Sequence, residues 1–179
     1  KAKAFPSEEL VDAQRFCENE GIKYYVCEFE PLNIHGFADN PPDRCYICKK
    51  KIFNEIIQIA KEHGVDNVAE GSNMDDISDY RPGLRAINEL NVFSPLQKAE
   101  LSKDEIRMLS RQLGLSTWKK PSKACLASRF VYGEKITKEK LQMIDRAEQF
   151  LMEHGFEQNR VRIHGMMARI EILPKQFDK

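Results

Sequence analysis

Apolar and polar residues follow two different spacings along the first part of the chain. Apolar residues at helical spacing predict four helices, at residues 8–19, 43–63, 83–90 and 102–114. Short segments with an apolar centre predict three strands, at residues 23–30, 67–70 and 92–96. Because strands alternate with helices, the pattern predicts an α/β fold built on a doubly wound, mostly parallel sheet.

The pattern changes in the last third of the chain. Residues 137–153 have the spacing of a long amphipathic helix. Its predicted apolar face comprises Leu141, Ile144, Ala147, Phe150 and Leu151. Residues 159–164 and 167–173 then alternate around Gly165-Met166, which predicts a hairpin with a type II′ turn. These elements predict the start of a second, smaller α+β domain.

Composition excludes several classes of partner. The 179 residues contain 28 Lys and Arg against 28 Asp and Glu, so the formal net charge is zero. No net field attracts nucleic acid or an anionic membrane, and we expect neither as a partner. No apolar run approaches the ~20 residues that span a bilayer, and the first residues do not have the pattern that we would expect of a signal peptide. We therefore expect a cytoplasmic protein.

Cysteines provide the best clue to chemistry. Cys45 and Cys48 form a Cys-x-x-Cys pair beside basic residues, after Asp43, a natural helix N-cap. Both thiols then lie in the first turns of one helix and on one face. The positive end of that helix favours the thiolate, the form that binds metals and attacks electrophiles. A third cysteine, Cys125, lies in a loop that is rich in lysine.

Three interpretations of these cysteines stay open. They are small, half-buried residues without a common role. Alternatively, Cys45, Cys48 and Cys125 bind zinc with His35 as the fourth ligand, in a non-enzymatic α/β binding module. In the third interpretation, the three thiolates hold an iron-sulfur cluster with one open iron.

Two other groups of residues have the chemistry to bind phosphate. The loop at residues 71–76 leaves the predicted strand 67–70, and ligands bind at such strand ends in doubly wound sheets. Asp75 or Asp76 could hold the Mg²⁺ of a nucleotide there, and Arg81 offers a positive charge. The alternative is an ordinary turn with a helix cap.

Arg160 and Arg162 are the second group. Their spacing on a predicted strand projects both guanidinium groups from one face. Arginine forks suit phosphate, so the two could clamp an anion. The alternative is the solvated outer face of an antiparallel sheet.

The most specific motifs of the chain are Asp79-Tyr80-Arg81-Pro82-Gly83 and Cys125-Leu126-Ala127-Ser128-Arg129-Phe130. In their sequence and order, they resemble motifs of the LarE-type ATP-dependent sulfur transferases of the PP-loop pyrophosphatase superfamily. The resemblance also covers residues 44–50, 71–73, 132–133 and 161–162.

The resemblance implies an incomplete adenine nucleotide alpha hydrolase-like domain at residues 1–130 and the start of a substrate and sulfur-transfer domain at residues 131–179. It implies that a carboxylate of pyridinium-3,5-biscarboxylic acid mononucleotide is adenylated by ATP with Mg²⁺ and then converted to a thiocarboxylate. The sulfur comes from a cysteine in one branch of the family and from a 4Fe-4S cluster in the three-cysteine branch. We expect a homo-oligomer with a small nucleotide substrate.

The resemblance also implies roles for individual residues. Cys125 matches the sulfur donor, and Cys45 and Cys48 match the added cluster ligands. Glu148 matches an acidic active-site residue. Arg160 and Arg162 match the paired arginines that hold the substrate phosphate, and Ser128 and Arg129 adjoin that site as expected nucleotide or substrate contacts. The expected contacts to the nucleotide cofactor are Ser72, Asp75 and Arg81.

One departure from the family concerns ATP. The Ser-Gly-Gly-x-Asp-Ser motif that cradles pyrophosphate is not in this sequence. We expect Lys1 to follow the second strand of the nucleotide domain, so that this chain by itself binds ATP poorly. The alternative enzyme is an amidating PP-loop synthetase of the NAD-synthetase or GMP-synthetase kind, which adenylates its substrate but needs no cysteine triad.

Overall fold

A computed structural model describes residues 6–177. In chain order, its helices and strands are α1 (Ser7–Asn19), α2 (Arg44–Glu62), α3 (Gly83–Glu89), α4 (Pro95–Lys98), α5 (Lys103–Gln112), α6 (Lys138–Glu153), β1 (Asn159–His164) and β2 (Met167–Ile172). The chain divides into two units: unit 1 joins Lys1–Pro41 to Pro121–Lys179, and unit 2 is Pro42–Lys120. The domain boundary predicted at residue 130 stays a prediction.

Unit 1 contains the predicted hairpin. β1 and β2 pair antiparallel, from Asn159 opposite Ile172 to His164 opposite Met167. Gly165 has a φ of +60°, and Met166 is not among the residues with positive φ. That combination is expected at a type II′ turn, so the predicted turn is confirmed.

The core of unit 1 lies where α6 and β1 meet a short 3₁₀ helix at Leu126–Arg129. Its buried side chains include Phe37, Leu126, Phe130, Ile136, Leu141, Ile144, Val161 and Ile163. Phe130 forms a parallel bridge with Ile163, so the chain that leaves the 3₁₀ helix runs beside β1. The loop that carries Cys125 is thereby tied to the hairpin.

The predicted apolar face of α6 is correct except at Phe150. Leu141 and Ile144 are each 1% exposed, whereas Phe150 is 58% exposed and stacks on His154. Phe150 follows Leu141 by nine residues, about two and a half helical turns, and therefore points to the opposite side. The same geometry brings Glu148, almost two turns after Leu141, into the buried face.

In unit 2, α2 packs against α3, and the predicted strands at residues 67–70 and 92–96 pair in parallel as one bridge. The Phe93 N–H donates to the Val68 carbonyl at 2.9 Å, and the Glu70 N–H donates to the Phe93 carbonyl at 2.8 Å. The second strand was predicted too long, because Pro95 begins α4. Proline is favoured in the first turn of a helix and cannot donate to a sheet.

Two other local predictions need correction. Residues 23–28 form no strand within the described part of the chain, and in the segment predicted as a strand only Phe29 takes part in a bridge. Asp43 occupies the N-cap position of α2, but its side chain makes no cap hydrogen bond. Its φ of −91° and ψ of 12° differ from the extended backbone of a capping residue. The capping box of Ser102 and Glu105 at α5, in contrast, is confirmed.

The predicted doubly wound sheet is not formed by residues 6–177. Within that range, the sheet consists of β1 and β2 alone. The described residues therefore form a mixture of helices with a small antiparallel sheet. None of the described helices is both long and apolar enough to cross a membrane.

Candidate functional site

A buried ion pair between Arg129 and Glu148 forms the centre of the candidate site in unit 1. Arg129 donates from Nε to Glu148 Oε1 at 2.6 Å and from Nη2 to Oε2 at 2.9 Å. The Val161 N–H also donates to Oε1, at 2.8 Å. The side chains are only 4% and 12% exposed. Three donors thus satisfy the carboxylate of Glu148 and lock together α6, β1 and the 3₁₀ helix.

Hydrogen bonds extend this network to Arg162. Arg129 Nη1 donates to the hydroxyl of Ser128 at 2.8 Å, and Arg162 Nη1 donates to the backbone carbonyl of Ser128 at 2.8 Å. Arg162 Nε donates to Glu171 Oε1 at 2.8 Å, and Arg169 also pairs with that oxygen. Arg162 is therefore held on both sides by the protein itself.

Glu171 makes the hairpin sensitive to acid. Its hydrogen bond from Arg162, together with Arg169, lowers the pKa of Glu171 from 4.5 to about 2. A lowered folded-state pKa means that its stabilisation is fully present above about pH 4.5 and is lost as the pH falls towards 2. We expect Glu171→Gln to lose stability near neutral pH and to show a weaker acid dependence below pH 4.5 than the unmodified protein. Unfolding titrations across that pH range test this, and parallel curves for the two proteins would contradict it.

An open pocket lies beside the Arg129–Glu148 pair. Its lining includes three cationic residues, Lys123, Arg129 and Arg160, and the acidic residues Glu8, Asp145, Glu148 and Glu157. Within residues 6–177, no hydrogen bond or ion pair engages the guanidinium of Arg160. The pocket therefore contains a positive charge that is available for a ligand.

Arg160 and Arg162 share one face of β1, as the alternation predicted, because Val161 and Ile163 between and beyond them are buried. Their surroundings differ, however. Arg160 lines the pocket, whereas Arg162 is not among its lining residues and is paired with Glu171. The two arginines are thus not equivalent members of one clamp in this structure.

Cys125 lies at the N-cap position of the 3₁₀ helix and is half-buried. The pocket lining includes Lys123 before it and Arg129 after it, but not Cys125 itself. The Ser128 N–H donates to the Cys125 carbonyl at 2.9 Å, which closes the turn that carries the motif.

Cys45 and Cys48 lie in the first two turns of α2, as predicted. Cys45 is exposed and Cys48 is half-buried, and Arg44 Nη2 lies 3.8 Å from Cys45 Sγ. These two cysteines belong to unit 2, and Cys125 belongs to unit 1. Across residues 6–177, no group of three or more His, Cys, Asp and Glu side chains is arranged to hold a metal ion. The cluster on Cys45, Cys48 and Cys125 and the zinc site with His35 as fourth ligand therefore stay predictions.

The loop at residues 71–76 of unit 2 is organised by its own side chains. Asn73 and Asp76 form a capping box, and Asp76 Oδ1 pairs with Arg81 at 2.7 Å. Asp75 Oδ2 accepts a hydrogen bond from the Lys103 N–H at 2.8 Å. These contacts match the turn-and-cap alternative, so a role of Asp75 or Arg81 in nucleotide binding stays a prediction.

Glu70 is a residue that the sequence reasoning missed. It accepts hydrogen bonds from the Ser72 N–H at 3.0 Å, the Ser72 hydroxyl at 2.9 Å and the Ser94 hydroxyl at 2.5 Å. Burial raises the pKa of Glu70, but the bonds from Ser94 and Ser72 outweigh burial and hold the pKa below its usual value. Glu70 thus fixes Ser72 at the start of the loop. The only sequence signal was its position directly before Gly71-Ser72-Asn73.

Comparisons with known proteins give the site its context. No protein-family model matches the chain. The chain is 42% identical over 172 residues to an uncharacterized protein of Synechocystis, which covers 96% of this chain and 64% of that protein. It is 34% identical over 168 residues to the pyridinium-3,5-bisthiocarboxylic acid mononucleotide synthase of Lactiplantibacillus plantarum, covering 94% of this chain and 61% of the synthase.

A more distant relative is a tRNA-specific 2-thiouridylase of Desulforamulus reducens, 28% identical over 138 residues, which cover 62% of this chain and 38% of that protein. The chain spans less than two thirds of the length of each of these relatives.

Proposed function

We propose that this chain is part of a LarE-type ATP-dependent sulfur transferase of the PP-loop superfamily, because its similarity to the bisthiocarboxylic acid mononucleotide synthase extends over 94% of its length. The similarity to a tRNA thiouridylase supports ATP-dependent sulfur transfer in general. The same relatives support an adenine nucleotide alpha hydrolase-like α/β fold for the complete protein. A homo-oligomer in the cytoplasm remains our expectation.

The proposed reaction has two steps. A carboxylate oxygen of pyridinium-3,5-biscarboxylic acid mononucleotide attacks the α-phosphorus of ATP, and pyrophosphate leaves. Mg²⁺, when bound with ATP, would offset the negative charge of the phosphates. A sulfur nucleophile then attacks the acyl carbon and displaces AMP. We propose that ATP binds at the loop of residues 71–76, through Ser72 and Asp75, and at Arg81, which pairs with Asp76. This loop follows the parallel bridge in unit 2.

Cys125 is the proposed sulfur donor. Its thiolate attacks the acyl adenylate, AMP leaves, and a thioester joins the substrate to the protein. A base then removes the Cα proton of Cys125 and the Cβ–S bond breaks, which releases the thiocarboxylate and leaves dehydroalanine. This sequence balances without an oxidant or reductant. A 4Fe-4S cluster on Cys45, Cys48 and Cys125 is the alternative proposal for the source of the sulfur.

The observation that best supports a nucleotide substrate is the guanidinium of Arg160, which lines the pocket and has no hydrogen-bond or ion-pair partner within residues 6–177. An arginine fork matches the planar array of phosphate oxygens, and each charge-assisted bond is stronger than a neutral one. We propose that Arg160 binds the substrate phosphate. Arg129 lines the same pocket, and Ser128 and Arg162 support it from behind the lining through hydrogen bonds.

Arg160→Ala in the complete protein should raise the KM for the nucleotide about tenfold or more and leave the KM for ATP nearly unchanged. Steady-state kinetics with each substrate varied in turn measures both constants. Arg146→Ala is the matched control, because Arg146 is an exposed arginine on α6 that does not line the pocket. Equal effects on both KM values, or an equal effect of the control, would return Arg160 to the solvated-face interpretation.

A further inference from the structure

Lys123, a second cationic residue of the pocket, is paired with a carboxylate of the protein itself. The ammonium of Lys123 forms an ion pair with Glu8 Oε1, and its Nζ lies 3.5 Å from the sulfur of Met152. The Lys123 side chain is 17% exposed, whereas that of Glu8 is 42% exposed. Glu8, Lys123 and Met152 all line the pocket that contains Arg160. The carboxylate of Glu8 is therefore already bound to the ammonium of Lys123 on the pocket wall.

Lys123 is the more buried member of the ion pair, and Glu8 is the more exposed one. Burial lowers the pKa of Lys123, and the nearby carboxylates of Glu148 and Asp145 oppose that shift by raising it. Glu8 lies in the first turn of α1, and its long side chain is substantially exposed. Glu8 takes no part in the hydrogen bonds of the buried Arg129–Glu148 pair, so displacing its carboxylate from Lys123 would leave those bonds in place.

The rest of the lining suits a ligand with both signs of charge. Arg160 is a guanidinium fork, the geometry that matches phosphate, whereas Lys123 is a point charge that is here bonded to a carboxylate. Asp145 and Glu157 place negative charge on the same lining, where it favours a cationic ring. A pyridinium carboxylate mononucleotide carries these three charged groups.

We infer that Lys123 recognises the carboxylate of the pyridinium nucleotide, and that Glu8 is an internal carboxylate that the ligand displaces. This inference rests on the proposed function, because it assumes that the pocket binds the nucleotide substrate. Lys123 is then the residue that makes the pocket prefer the nucleotide with a carboxylate over the corresponding amide. An amide cannot replace the charge of Glu8, so the ammonium stays paired with Glu8 when the amide binds.

Two related nucleotides serve as probes that distinguish recognition of the carboxylate from recognition of the phosphate. Nicotinic acid mononucleotide and nicotinamide mononucleotide share the phosphate, ribose and pyridinium ring, and differ in the carboxylate. Isothermal titration of the complete protein should give about tenfold tighter binding of the acid than of the amide. Lys123→Met should reduce that ratio to about one by weakening the acid alone. Lys119→Met, at an exposed lysine outside the pocket, should leave the ratio unchanged.

Glu8→Gln tests the same inference from the other side of the ion pair. It keeps the inference testable even if Lys123→Met does not fold. It removes the competing carboxylate, so binding of the acid should tighten several-fold while binding of the amide stays constant. A ratio near one in the unmodified protein, a ratio that survives Lys123→Met, or no selective gain in Glu8→Gln would overturn the inference. Arg160→Ala separates the two proposals, since it should weaken both nucleotides equally. If neither nucleotide binds the unmodified protein, both the proposed substrate and this inference fail.

Discussion

Replacing Glu148 with glutamine should lower the free energy of unfolding by about 3–5 kcal/mol. The change removes the negative charge opposite Arg129, whose side chain is only 4% exposed, so that water compensates the remaining positive charge poorly. It also weakens the acceptor of the Val161 N–H. Removing one member of a buried ion pair costs far more than the net value of the pair, because the other charge is left desolvated. Urea unfolding at neutral pH measures the effect.

Glu153→Gln is the control for that experiment. Glu153 lies in the last turn of the same helix, is exposed, and should change stability by no more than about 0.5 kcal/mol. If Glu148→Gln is as mild as the control, the ion pair does not hold unit 1 together. Activity gives a second readout: a loss of activity without a loss of stability would instead make Glu148 a direct participant in the reaction.

Cys125→Ser should reduce thiocarboxylate formation to the uncatalysed background. A serine hydroxyl cannot supply sulfur, whether the sulfur comes from the Cys125 side chain or from a group that Cys125 helps to hold. Pyrophosphate release should continue, because adenylation of the substrate uses no thiol. Product analysis by mass spectrometry measures the loss, and Cys17→Ser on α1 is the control with an unchanged yield. Undiminished thiocarboxylate from Cys125→Ser would remove Cys125 from the chemistry.

The elements that the sequence predicted correctly are those set by local rules. The capping box at Ser102, the alternation on β1 and the glycine turn at Gly165 each depend on a few neighbouring residues. Predictions that depend on distant partners failed or stayed incomplete. Residues 23–28 have strand composition but form no ladder in the described chain, because a strand requires hydrogen bonds to a neighbouring strand.

The candidate site shows the same limit. Helical spacing alone places Glu148 on the buried face of α6, which indicates that it needs a partner. Nothing in the spacing identifies that partner as Arg129, 19 residues earlier. The alternation on β1 likewise pairs Arg160 with Arg162, yet a contact with Glu171 on the opposite strand separates their roles. Glu8 lies 115 residues from Lys123, so their ion pair has no sequence signal.

The variant Cys45→Ser distinguishes the two proposed sources of the sulfur, because Cys45 takes no part in the reaction in which Cys125 gives up its own sulfur. If Cys125 gives up its own sulfur, Cys45→Ser should still yield up to one thiocarboxylate per chain, and Cys125 should lose the mass of H₂S. A cluster that binds added sulfide would instead give several products per chain in the unmodified protein, and at most one in Cys45→Ser. Iron and sulfide counts on protein purified without oxygen identify the cluster itself.

The most direct test of the account is the mass of the product. The complete protein, supplied anaerobically with ATP, Mg²⁺ and pyridinium-3,5-biscarboxylic acid mononucleotide, should convert a carboxylate to a thiocarboxylate, in which one oxygen is replaced by sulfur. High-resolution mass spectrometry resolves that change from the amide that an amidating synthetase forms when ammonia is present. Sulfur in the product is the result that the account predicts. An amide, or unchanged substrate with ATP consumed, would contradict it.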